Sequence, residues 1–222
     1  NPTVRENLNR KYSDEKLFKG ISWMHKYGIK VASFNIIGCP GETRENVFET
    51  IELNRKLKVE SCNVYIMFPY PGTPIQIESK VPIRDKNGRL HKVSEAKNLG
   101  ISKMSPETLE GLEKTFNIYL NLPKSLWPII ELSEKKENWS KILSPLKNFS
   151  VQYISDQVED YDLRDDYHEI NSRKIPKQLY EIFLSAIGDD KEIILKAINK
   201  FLEETTLDNR QVDNPSFSAA IQ

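Results

Sequence analysis

The stretch "FNIIGCPGETRENVFET", Phe34 to Thr50, changes character twice in seventeen residues. Alternating β-rich residues give way at Gly38, the chain passes through Cys39-Pro40-Gly41-Glu42, and Thr43 then stands where a helix N-cap is wanted. Val47, Phe48 and Ile51 behind it have the spacing of a helix face turned to a core, so a helix is predicted over residues 44 to 57. A strand over 30 to 37 precedes it. Upstream, Ser13 caps a predicted helix over 14 to 27, on which Leu17, Ile21 and Met24 recur at helical spacing and Gly28 supplies the stop. Downstream, "SCNVYIMF" reads as a second strand over 61 to 68. Helix, strand, helix, strand with short connections is an α/β rhythm, and it predicts two parallel strands joined by a crossover helix.

Each strand carries one apolar side and one mixed side. Ser33 and Asn35 share a side of the first; Asn63 and Tyr65 share a side of the second. Helices on both faces of an open sheet would want two apolar faces, whereas a closed β/α barrel accepts polar side chains in its lumen near the C-terminal strand ends. The fold class expected is therefore α/β, as the last two parallel strands of a partial β/α barrel with their helices, followed by a mainly α-helical extension. Asn35 and Tyr65 are expected to point inward. Three blocks are expected: 1–80 as barrel, 81–150 as an irregular and helical extension, and 151–222 as an acidic linker with a helical hairpin.

The second strand ends in "FPYPGTP", residues 68 to 74. Both strands thus leave through a Pro-Gly loop, and a residue without a Cβ lets a flat ligand approach the backbone closely. Beyond it, Asp85-Lys86-Asn87-Gly88 predicts a turn inside an irregular excursion. Ser105 and Pro106 open a helix that carries Leu109, Leu112, Phe116 and Leu120 to about residue 121. Shorter helices are expected over 123 to 134 and 137 to 149, an acidic linker over 156 to 169, helices over 176 to 187 and 190 to 204 around Gly188, and a frayed tail after Thr205.

The chain has 222 residues, with Lys plus Arg and Asp plus Glu both at 32, so its formal charge is zero. No long-range field draws it to phosphate backbones, which disfavours a nucleic-acid partner. No apolar run reaches the roughly 18 to 20 residues of a membrane span. A cytoplasmic location is expected, with no membrane partner. Two cysteines, Cys39 and Cys62, are too few for a disulfide framework and are expected as buried thiols. His25, His91 and His168 stand far apart with no ligand at metal spacing, so no metal site is expected. The acidic run 156–169 lacks the glycine-bearing frame of a calcium loop.

"IIGCPGET" (36–43) with "FPYPGTP" (68–74) after it resembles the fifth and sixth strands of radical S-adenosylmethionine enzymes, whose partial β/α barrel has six. Residues 1–31 resemble the segment between the fourth and fifth strands there. "MSPETLEGLEKTFNIYLNLPKSLWPII" (104–130) resembles the extension of the subgroup with an N-terminal cobalamin-binding domain. The resemblance covers about residues 1–135. It implies that Asn35, Ile37, Gly38, Pro40, Gly41 and Glu42 on the first loop, and Phe68, Tyr70, Pro71, Gly72 and Thr73 on the second, lie against the adenine and ribose of S-adenosylmethionine. Arg10 would meet a carboxylate of that cofactor, and Tyr65 and Asn63 would face a small-molecule substrate.

The family's [4Fe-4S] cluster is held by a CxxxCxxC motif that this sequence does not contain. The resemblance therefore implies the C-terminal part of such an enzyme, an expectation that the opening at Asn1 also suggests. The missing N-terminal half of the barrel would be its partner, and cluster and possibly cobalamin would be bound elsewhere. Radical methyl transfer or ring formation on a small molecule is the reaction implied, with the chain inactive alone. The second reading is a methylthiotransferase-like RNA-modifying enzyme, which shares the Pro-Gly loops. The third is a non-catalytic half-barrel interaction module.

Overall fold

The computed structural model describes residues 2–10, 12–82, 84–156, 168–170 and 173–212. The chain divides into two compact units, 1–120 and 121–222, so the residues after 80 belong with the strands up to the end of a long helix. The physical reason is that this helix caps the sheet instead of starting a separate extension.

The first unit begins with α1 (Pro2–Asn7) and α2 (Asp14–Lys26). Ser13 caps α2 by accepting from the Lys16 N–H, and Tyr27 and a left-handed Gly28 end it. No residue of α2 is buried, and Met24 is exposed, so the stripe read from the sequence is only partly covered. β1 (Ala32–Ile37) leads to α3 (Arg44–Leu57). Thr43 and Asn46 form a reciprocal capping box there, and Lys58 closes the helix in the left-handed region. β2 (Ser61–Ile66) pairs with β1 in parallel, Ala32 opposite Ser61 through Ile37 opposite Ile66, as the α/β rhythm required. Among the described residues this parallel sheet has two strands. The fold is mixed and helix-rich with a small parallel sheet, in agreement with the α/β class.

α4 (Pro74–Ser79) comes next, capped by Thr73 with Pro74 in its first turn. The excursion holds a 3₁₀ turn over Val93–Asn98 and an isolated antiparallel bridge between Arg84 and Leu90, around the turn closed by the Gly88 N–H to the Asp85 carbonyl. α5 (Pro106–Asn121) is the helix that makes this unit one body. Leu109, Leu112 and Phe116 on it are buried, Asn117 Nδ2 donates to the Cys62 carbonyl at 3.0 Å, and Arg55 Nη1 donates to the Tyr119 and Leu120 carbonyls at 2.8 Å each. A cation at the carbonyl end of a helix is favourable twice over, through the bonds and through the helix dipole.

In the second unit α6 (Trp127–Ser133) and α7 (Ser144–Asp156) are joined through a 3₁₀ turn at Lys136–Asn138 and a π turn at Trp139–Leu143. α7 extends seven residues beyond the expected end at 149. A short hairpin, β3 (His168–Ile170) with β4 (Arg173–Ile175), stands where the expected linker ended; residues 157–167 of that linker lie outside the described residues. α8 (Lys177–Ser185) and α9 (Asp189–Val212) form the predicted pair about Gly188. α9 continues past Thr205 to Val212, correcting the expected fray; residues 213–222 lie outside the described residues. Leu146, Phe149, Leu179, Ile182, Ile194 and Ile198 make the core of this unit, with Phe149 and Phe201 in an edge-on ring contact at 6.1 Å.

Candidate functional site

β1 and β2 run parallel, so their loops leave from one edge, and the pairing continues one step beyond them with the Met67 N–H on the Ile37 carbonyl at 2.8 Å. The two loops meet different fates. Gly38 is left-handed (φ 78°) and buried, and a Cβ there would lie 3.0 Å from Leu109 Cδ2 and 3.5 Å from Ile66 Cγ2. Helix α5 fills the space that a bare glycine was expected to offer a ligand. Ile37 is fully buried, and Cys39 packs against Val4 and Met67.

Glu42 is also turned inward, 2% exposed, its Oε2 accepting from the Gly38 N–H at 2.6 Å and the Cys39 N–H at 3.1 Å. Burial pushes this carboxyl above its ordinary value, and the same two amide bonds hold it back. Ile37, Gly38 and Glu42 thus build the loop from inside, correcting their expected place at a ligand surface. What remains open on the first loop is Pro40 and Gly41, the latter with φ 74° and no atom within 4 Å of its missing Cβ.

The second loop is built from outside. Thr73 Oγ1 donates to the Tyr70 carbonyl at 2.7 Å, the Tyr70 N–H reaches the Phe68 carbonyl, and Gly72 (φ 79°) again has nothing within 4 Å of a built Cβ. Pro71, Gly72 and Tyr70 are exposed, and Phe68 and Tyr70 meet edge-on at 5.0 Å. Sequence reasoning missed what faces them. Pro82, Leu90, His91, Lys92, Val93 and Leu99 of the excursion close a cavity of about 420 Å³ against Phe68 to Pro71. The excursion carries too little periodicity to announce this; the one local signal was the Asp85–Gly88 turn that folds it back.

The faces of the sheet also differ from expectation. Register puts Phe34 beside Asn63 and Ile36 beside Tyr65, so Asn63 and Tyr65 share a face with the apolar side of β1. That face is open: Phe34 is 68% and Tyr65 50% exposed, their rings stacked at 6.4 Å with planes 4° apart. Asn35 lies on the other face, toward the helices. Its Nδ2 donates to Ser33 Oγ at 3.1 Å and Cys62 Sγ at 2.9 Å, and its Oδ1 accepts from Asn54 Nδ2 of α3 at 3.0 Å. Asn35 and Tyr65 therefore do not line one lumen, a correction that stems from parallel register and from the satisfied amide network on the helix side.

Arg10 is exposed and close enough to Cys39 for its charge to be felt there. In the same N-terminal segment Arg5 meets a carboxylate, 2.8 Å from Asp14. Cys39 is pushed up to about 12, first by burial, then by the Glu42 charge, with Arg10 opposing. Burial also raises Cys62. Both are buried thiols that burial holds toward the protonated form. Among the described residues, no three His, Cys, Asp or Glu side chains come together to hold a metal ion, and no helix is long and apolar enough to cross a membrane.

A parallel β–α–β pair with a glycine bare of neighbours in each exit loop defines this unit as part of an α/β fold with a candidate ligand edge. The chain has homologues among the tRNA methylthiotransferases, a radical S-adenosylmethionine subfamily, at low identity and over part of its length. It is similar to the tRNA-2-methylthio-N(6)-dimethylallyladenosine synthase of Syntrophomonas wolfei, 27% identical over 94 residues, which are 41% of this chain and 21% of that protein. The same enzyme of Clostridioides difficile is 31% identical over 112 residues, 49% of this chain and 23% of the relative. That of Clostridium novyi is 28% identical over 123 residues, 54% and 26% respectively. The chain thus spans about a fifth to a quarter of the length of these curated relatives. No family model matches it, and no solved structure does. The relatives favour the methylthiotransferase-like reading over the cobalamin-dependent one, which none of these three supports.

Proposed function

We propose that this chain is the last part of a radical S-adenosylmethionine barrel in a methylthiotransferase-like RNA-modifying enzyme, and that it forms one wall of the nucleoside site. The observation that carries the reading is the pair of Gly41 and Gly72, left-handed and uncovered in the loops leaving one edge of a parallel sheet, in a chain whose relatives bear that name. At these glycines the adenine and ribose can approach backbone amides without meeting a Cβ. The open sheet face would lie beneath, with Phe34, Ile36 and Tyr65 giving an apolar floor and Asn63 a hydrogen-bonding group. S-adenosylmethionine, when bound to a reduced cluster, supplies a 5'-deoxyadenosyl radical. The residues of this chain do not fit that cluster: it has two cysteines, both buried. Their part is to hold and orient the nucleoside and keep water from it. The zero net charge means that attraction to tRNA phosphates would come from other parts of the enzyme.

The test is to express the complete reading frame that contains this chain, anaerobically, in cells lacking the methylthio modification, and to digest their tRNA. A frame with CxxxCxxC upstream and the return of a 2-methylthio adenosine are expected. A frame without that motif, or a digest in which no methylthio nucleoside returns, would contradict the reading.

A further inference from the structure

The cavity between the second loop and the excursion shares that loop with the nucleoside wall just described: Gly72 belongs to the wall, and Phe68 to Pro71 before it line the cavity. At about 420 Å³ it falls in the range of small-molecule sites. Its walls are rings and aliphatic side chains: Phe68 and Tyr70 on one side, Leu90, Val93 and Leu99 on the other. Tyr70, Leu90 and Val93 are each about half exposed at its mouth, apolar surface that a bound ring would remove from water. Two of the lining side chains carry nitrogen donors, His91 and Lys92, and no carboxylate lines the cavity.

The acids nearest along the excursion are already engaged. Asp85 Oδ2 accepts from Arg89 Nε at 3.1 Å, Glu95 Oε1 accepts from Arg89 Nη2 at 2.8 Å, and Glu95 Oε2 accepts from the Lys92 N–H at 2.8 Å. His91 Nδ1 stands 3.4 Å from the same Glu95 oxygen, which orients its ring. These bonds brace the excursion as a wall; Lys92, an exposed residue, is the cationic side chain among the lining residues, which include no carboxylate.

We propose that this cavity binds a planar ring bearing one acidic group, the ring between Tyr70 and Leu99 and the acid at Lys92. A nucleotide and an aryl carboxylate share that chemistry, and the experiment separates them. Calorimetric titration of the full chain uses 2-naphthoate, adenosine 5'-monophosphate and the uncharged 2-naphthalenemethanol. Saturable binding of at least one acid, with the alcohol about tenfold weaker, is expected, since a charge-assisted hydrogen bond is worth that much. Naphthoate alone marks an aryl acid site, and the nucleotide alone marks a nucleotide site. Lys92→Gln should reduce the acid to the level of the alcohol, and Val93→Trp, a substitution at the exposed mouth, should abolish both while the thermal unfolding of the chain is unchanged. Absence of binding, equal affinity for acid and alcohol, or indifference to both substitutions would each overturn it.

Discussion

The two loops leaving this sheet are written in nearly the same letters, yet the protein fills the start of one, at Gly38, and leaves the other open. In Gly38-Cys39-Pro40-Gly41-Glu42 the first glycine is a packing residue, held under Leu109, and the carboxylate is an internal brace. In Pro69-Tyr70-Pro71-Gly72-Thr73 the glycine is open and the aromatic rings face a cavity. Composition places a loop at a strand exit. What packs on that loop decides whether it can serve a ligand.

The largest difference between them should appear on adding one carbon. Gly38→Ala combines a left-handed backbone with a 3.0 Å contact to Leu109, and we expect a loss of about 2–4 kcal/mol in chemical denaturation. Gly72→Ala has the same backbone handicap with open space, so about 1–2 kcal/mol is expected. Equal losses at the two sites would remove the distinction.

The two faces of the sheet give the next contrast. Asn35→Ala would strip partners from Asn54, Ser33 and the Cys62 thiol on the helix side, at a cost of about 1–3 kcal/mol. Tyr65→Ser on the open face should cost under about 0.5 kcal/mol by the same denaturation measurement. A larger loss at Tyr65 than at Asn35 would mean that the faces are reversed.

A smaller effect concerns Glu42. Its carboxyl is raised in the folded chain, so the native state binds more protons than the unfolded one between the ordinary carboxylate value and the raised value. Its contribution to stability therefore declines as pH rises through that window. The exposed acids Glu45 and Glu60 and the half-buried Glu95 are lowered and act in the opposite sense, so the test is a difference. Glu42→Gln keeps an acceptor for the Gly38 and Cys39 amides but does not titrate, and its stability should gain on that of the unaltered chain as pH rises from about 4 to about 7. A pH-independent difference would contradict the burial of a titrating carboxyl.

The helix starts could be read because caps are local: Ser13, Thr43 and Ser105 each accept from the amide three residues on. The parallel pair could be read because connection length and strand period suffice for it. Three features were hidden for a common reason. The filling of Gly38 depends on Leu109, the sides of Asn35 and Tyr65 depend on the offset between two strands, and the cavity depends on an aperiodic segment returning to Phe68. Each is a meeting of residues distant along the chain, which spacing within a motif does not encode. The Thr43 cap is reciprocal, with Asn46 as the partner that closes the box.

The central claim is that Gly41 and Gly72 border one nucleoside wall. The direct measurement is a titration of the ¹⁵N-labelled chain with S-adenosylhomocysteine, tracking amide shifts. The account predicts saturable shifts at Gly41, Gly72 and Tyr65, none in α8 or α9, and their loss at Gly41 and Tyr65 in Gly72→Val. Shifts confined to residues 121–212, or a Gly41 and Gly72 pair that never moves at saturating ligand, would contradict it.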